Sequence, residues 1–141
     1  MSFEKQIPIY RKVNMKDIII IITIIVVIFG GDALVNSYLK KTSSKLTKQL
    51  EQVKDKINKN EDNETIKEDI SKVFNEWQNI EKTWAIIVLH SELDAIETSL
   101  IRTKVNIKEK EWSIGLENLE TSIFFIEHIS QKEKFCLKNI F

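Results

Sequence analysis

His90 and His128 are the only histidines in the chain, and each has carboxylates beside it. Glu92 and Asp94 follow the first, and Glu127 precedes the second. Imidazole nitrogens and carboxylate oxygens are the donors of a zinc or other divalent site, and imidazole also titrates near neutrality. If the two rings lie on antiparallel helices, the paths from Ser91 to Val105 and from Ile107 back to His128 are about 21 and 32 Å at 1.5 Å per residue. The rings then fall within roughly one or two turns of the same level. The local spacing argues the other way. There is no His-x-x-x-His pair and no Glu-x-x-His pair, and His128 lies off the Ile123/Ile126 stripe. A helix-end role for His90 and a cross-helix hydrogen bond for His128 outweigh a metal site of His90, His128, Glu127 and Asp94.

Other chemistry is harder to draw. The sequence lacks a glycine-rich phosphate loop, a Gly-x-Ser-x-Gly elbow and a His-Glu-x-x-His pair. Cys136 is alone, which excludes an internal disulfide and a cysteine-built zinc site. Trp77, Trp84 and Trp112 have helical spacing and are expected in the core. These features point away from an enzyme, a bound cofactor or a small-molecule substrate.

Any such residues have to be positioned by helices. Gly 3 and Pro 1 leave few turn formers. Leu39, Leu46, Leu50, Val53 and Ile57 form a stripe with a seven-residue repeat, expected to end near Asn58–Asn60. Thr65 and Glu68 have capping-box spacing for a second helix, whose stripe is Ile66, Ile70, Val73, Trp77, Ile80, Trp84 and Val88. Ser91 with Asp94 suggests the next cap. A third helix then carries Leu93, Ile96 and Leu100 to about Val105. Asn106 with Glu109 suggests the cap of a fourth, which carries Trp112, Leu116, Leu119, Ile123 and Ile126. Short connections favour antiparallel neighbours.

Upstream, Ile18 to Phe29 is almost wholly isoleucine and valine. The 14 uncharged residues between Asp17 and Asp32 span about 21 Å as a helix, short of roughly 30 Å of hydrocarbon. Residues 18–39 reach about 33 Å and include Asp32, which costs roughly 2.5–3.5 kcal/mol at mid-span and less toward the interface. The surrounding isoleucines outweigh it, Tyr38 falls at the expected interfacial level, and Lys40 and Lys41 close the segment. The rivals are a signal peptide cleaved before Leu34 and a buried β-strand. A retained anchor is favoured over both.

The 21 basic and 21 acidic residues cancel, but unevenly. Residues 1–16 carry Lys5, Arg11, Lys12 and Lys16 against Glu4, and residues 40–59 carry seven lysines against Glu51 and Asp55. Residues 61–141 hold 10 basic and 16 acidic groups. This asymmetry suggests a lipid surface or self-complementary packing and argues against nucleic acid. At the C-terminus, Phe135, Leu137, Ile140 and Phe141 alternate with lysines, which predicts a segment that meets lipid, the upper span or a second copy.

Several of these stretches together resemble a family of short single-span bacterial membrane proteins classed as a domain of unknown function. They are the Met15-Lys16 start with its isoleucine run, Asn36-Ser-Tyr-Leu39, Trp77, Trp84, His90-Ser-Glu-Leu-Asp94, Phe125-Ile-Glu-His-Ile129 and the ending Leu137-Lys-Asn-Ile-Phe141. The resemblance covers about Met15 to Phe141. It implies a mostly helical protein of a Gram-positive, often spore-forming bacterium, and implies no activity.

The expected fold is all-α, a transmembrane helix continuing into an antiparallel bundle of about four helices. Residues 1–17 are expected to be a cytoplasmic tail, 18–39 a signal-anchor and 40–141 an extracytoplasmic bundle. The expected role is a scaffold or interaction protein in the cell membrane, bound to the bilayer and to an envelope protein or a second copy. The alternative is a metal-binding or sensing domain that uses His90 and His128.

Overall fold

The structure is a computed structural model that describes the backbone of residues 14–138 and the side chains of residues 14–132. Among the described residues there are four helices and no strand: α1 Met15–Asn58, α2 Asn63–Trp84, α3 His90–Lys108 and α4 Trp112–Lys138. The chain divides into two compact units, one ending at Leu34 and one beginning at Val35.

In the first unit, α1 opens on Asn14, whose backbone N–H donates to the Asp17 carboxylate at 3.3 Å. This is the reciprocal half of a capping box. The isoleucine run then continues as helix with its side chains 44–66% exposed. The only hydroxyl in that run, on Thr23, donates to the Ile19 carbonyl at 2.8 Å. An 18-residue window of α1 has mean hydropathy 2.9 and none of it is buried, so α1 contains a stretch long and apolar enough to cross a membrane.

The second unit is a ring of four helices. Every neighbouring pair runs antiparallel, as the cross-helix partners show. On α1 and α2, Thr42 meets Trp84, Lys45 meets Glu76 and Lys56 meets Asp69. Lys104 of α3 lies 4.6 Å over the Phe74 ring of α2. On α3 and α4, Glu92 meets Lys132 and Ser99 meets Ser122. The ring closes where Ser43 of α1 donates to the Ile126 carbonyl of α4 at 3.2 Å and Lys54 meets Glu120 at 2.8 Å.

The core is built from the expected stripes. Leu39, Leu46, Leu50, Val53 and Ile57 of α1 are buried against Ile66, Ile70, Val73, Trp77, Ile80 and Trp84 of α2. Leu93, Ile96, Leu100 and Ile107 come from α3, and Leu119, Ile123, Ile126 and Ile129 from α4. Trp77 and Trp84 are fully buried and meet edge to face, centroids 5.7 Å apart. Trp112 is only partly buried and packs at the margin.

Helix borders depart from the sequence-based expectation in three places. α2 is capped by Asp62 rather than Thr65. The Asp62 carboxylate accepts from the Thr65 N–H at 3.0 Å and from its hydroxyl at 3.1 Å, so Thr65 is the third helical residue and helps hold the cap. Second, α2 stops at Trp84. Val88 is buried as its spacing predicts, but from a turn, where the Ile87 and Val88 N–H groups both donate to the Trp84 carbonyl. Third, α3 opens on Leu89 with no side-chain cap and runs past Asn106 to Lys108. Asn106 does not cap α4; its amide donates to the Arg102 carbonyl at 2.8 Å within α3.

None of the three turns contains glycine, and two of them close on a left-handed residue. Asn60 and Lys110 adopt positive φ, 53° and 64°. After α1, Glu61 N–H reaches the Lys56 carbonyl and Asn60 N–H reaches that of Ile57. After α3, Glu111 reaches Asn106 and Lys110 reaches Ile107. Both are Schellman closures. Asn tolerates the left-handed region through its short polar side chain, whereas Lys pays a steric cost there.

Candidate functional site

Along the basic half of α1, Lys45, Lys54 and Lys56 reach carboxylates on the neighbouring helices, while Lys40, Lys41, Lys48 and Lys59 are exposed. Lys54 is bonded by both Glu51 and Glu120 at 2.8 Å, and these carboxylates hold its ammonium well above the ordinary lysine range. Lys56 lies 2.6 Å from Asp69, which raises the lysine. Asp69 also meets Lys72 at 3.0 Å. The Lys56 hydrogen bond is the main reason its carboxyl lies below the usual range, and Lys72 adds to it. Glu76 is lowered chiefly by Lys45 and also by Gln49, although burial opposes them. The charge asymmetry of the sequence is therefore met in part within the bundle: three lysines of α1 meet carboxylates on α2 and α4. Each pair is partly solvated, and a typical exposed pair contributes only about 0.2–1 kcal/mol, so these contacts chiefly set helix order and register.

Clefts follow the seams. One, of about 490 Å³ between α1 and α2, is lined by Gln49, Lys56, Lys59, Asp69 and Lys72 among others. Its Lys56 and Lys72 both pair with Asp69. A cleft of about 370 Å³ between α1 and α4 is lined by Lys40, Ser44, Thr47, Lys48, Glu127 and Gln131. A third, of about 380 Å³ between α3 and α4, is lined by Asp94, Ser99, Arg102, Asn118 and Phe125.

The histidine-centred residues are distributed over this surface. His90, Asp94, Glu127 and His128 are all exposed. Glu127 lines the α1–α4 cleft and Asp94 the α3–α4 cleft. His128 stacks on Phe124 of its own helix, centroids 5.8 Å apart and planes 20° from parallel. Among the described residues, no group of three or more His, Cys, Asp or Glu side chains is placed to hold a metal ion. The Phe135 and Leu137 side chains, and Ile140 and Phe141 entirely, lie outside the described residues.

Two polar contacts that periodicity did not indicate fasten the core. Trp84 donates its indole N–H to the Thr42 hydroxyl at 3.0 Å, and Thr42 donates onward to the Tyr38 carbonyl at 2.8 Å. Buried Ser122 donates to Ser99 at 2.9 Å between α4 and α3. These small side chains allow close approach of the two helices. A Cβ on nearby Gly115 would stand 3.2 Å from Ile107 Cγ1. The sequence signal was the run of small residues Ser99, Thr103, Gly115 and Ser122 on buried faces. Glu81 differs from the other carboxylates. Burial is the main cause raising it above the usual range, with Glu97 and Asp94 adding to the effect and His90 opposing it.

A family model described as a domain of unknown function, DUF4363, matches residues 33–140. That range covers most of the chain, and the chain belongs to this family. No curated protein and no solved structure matches it.

Proposed function

We propose that this member of the family is a single-pass membrane protein whose helical bundle stands outside the cytoplasmic membrane as a scaffold for another envelope protein or a second copy. In this reading residues 1–17 lie inside, 18–39 are the retained signal-anchor and 40–141 are extracytoplasmic. The observation that carries it is the contrast along α1. From Ile18 to Phe29 its apolar side chains are exposed on every face, whereas from Leu39 onward one stripe is fully buried. A helix apolar all round needs a nonpolar surrounding, and hydrocarbon supplies one for a stretch of this length. The internally bonded Thr23 hydroxyl fits that surrounding. Support for an interaction role comes from apolar side chains left on the bundle surface, notably Ile101 and Val105 one turn apart on α3 and Phe124 on α4.

Protease treatment of intact protoplasts, with the mass of the membrane-bound species measured in parallel, tests the topology. The expected result is a full-length membrane species that is shaved from outside. A mature protein beginning at Leu34 would replace the anchor with a cleaved signal. A membrane species protected from external protease would overturn the orientation. For the interaction role, a photocrosslinker at Val105 is expected to give a discrete adduct that Ile101→Glu abolishes.

A further inference from the structure

The connection between α2 and α3 reads Ala85-Ile-Ile-Val-Leu89 and contains no polar side chain. The other two connections, residues 59–62 and 109–111, are made of charged residues and one asparagine. Surface connections are ordinarily polar. This one is also firmly built. The Ala85 N–H donates to the Glu81 carbonyl, those of Ile87 and Val88 to Trp84, and Val88 is buried. Held by that frame, Ile86 is 85% exposed and Leu89 64% exposed. Two large apolar side chains fixed outward are unfavourable in water and favourable against an apolar medium.

Their place in the bundle identifies the medium. Trp84 directly precedes the connection and donates to Thr42, near the start of the unit at Val35. The Ala85–Leu89 turn therefore lies at the end where the chain enters the bundle, and antiparallel packing puts both charged turns at the opposite end. Lys40 and Lys41, exposed beside Thr42, belong to the same end as the apolar turn. We propose that Ile86 and Leu89 form a membrane-contact loop, seated at the head-group and upper acyl level of the outer leaflet, with Lys40 and Lys41 meeting anionic head groups beside it. This inference rests on the anchor reading above. The covalent anchor and the loop together give the bundle two attachments to one surface, which restrains its tilt and fixes which helix faces point outward to a partner.

The test uses the full chain reconstituted in phosphatidylcholine–phosphatidylglycerol vesicles. Bimane is placed at Ile86→Cys, Glu61→Cys or Ile25→Cys, each in a Cys136→Ser background, and quenched by lipids bearing a nitroxide near the head group or deep in the chain. The expected result is strong deep quenching at 25, and head-group-level quenching at 86 several-fold above that at 61. Deep quenching at 25 with no excess at 86 over 61 overturns the loop and leaves the anchor standing. Absence of quenching at 25 overturns both. A label at 86 that is shielded from aqueous iodide yet untouched by nitroxide lipid also overturns the proposal and assigns the loop to a protein contact, such as a second copy.

Discussion

Thr42→Val should destabilise the bundle far more than the loss of one partly buried hydroxyl would suggest. The substitution keeps the shape of the side chain but removes the acceptor, 3.0 Å away, of an indole N–H on a tryptophan with no exposed surface. The second bond that Thr42 makes, to the Tyr38 carbonyl, costs little to lose because that carbonyl remains within a helix. Leaving a buried donor unpaired costs about 1–3 kcal/mol. For a unit spanning Val35–Phe141, each 1 kcal/mol lowers the melting temperature by roughly 4 °C or a little more. The variant should therefore melt about 4–12 °C below the parent. Trp84→Phe removes the donor and loses packing, at a cost of about 1–3 kcal/mol. Because the double variant has no orphaned donor, it should be less destabilised than the sum of the singles by at least about 1 kcal/mol. Urea and thermal unfolding of the full chain in micelles, followed by far-ultraviolet circular dichroism, would measure all three. A Thr42→Val cost below about 0.5 kcal/mol, or strictly additive singles, would refute the claim that this hydrogen bond fastens the end of the bundle.

The other predictions concern the turns and the carboxylates. Lys110→Gly should stabilise the chain by about 1 kcal/mol, because a left-handed conformation that strains lysine is free for glycine. Lys110→Ala should bring no such gain, which separates backbone strain from charge in the same unfolding assay. Asp62→Ala should lower the melting temperature by a few degrees at pH 7 through loss of the α2 cap. Hydrogen bonds from Thr65 hold the Asp62 carboxyl below its usual value. Its contribution is therefore present above the unfolded-state value near 4 and lost as pH falls through the folded value, so parent and variant melting temperatures should converge in acid. Glu81 has the opposite sign. Burial raises its folded value, so its ionisation weakens the fold as pH rises. Glu81→Gln should stabilise by less than about 1 kcal/mol at neutral pH, and the gain should disappear below pH about 4.

Hydrophobic spacing alone determined a good deal here. The stripe from Leu39 to Ile57 and the stripe from Ile66 to Val88 are both buried as their spacing requires, because an amphipathic helix has one face to hide and a fixed period with which to hide it. The scarcity of glycine and proline, and the run from Ile18 to Phe29, likewise announced long helices and one apolar stretch of near-membrane length. Spacing did not decide where those helices stop. Asp62 takes the cap from Thr65 because its carboxylate reaches the Thr65 N–H, and Asn106 stays within α3 because Lys110 can close the turn four residues later. Local caps compete within a few residues of one another at similar energies, and the packing of the flanking helices selects among them. Nor could spacing pair Trp84 with Thr42, Ser99 with Ser122, or Lys54 with Glu120, since each partner is distant in sequence and is brought near only when the ring of helices closes. The same closure distributed Asp94 and Glu127 to different clefts and left Ile86 and Leu89 exposed at the end where the chain enters. Which face a residue buries follows from its own helix, whereas what that face meets depends on all four.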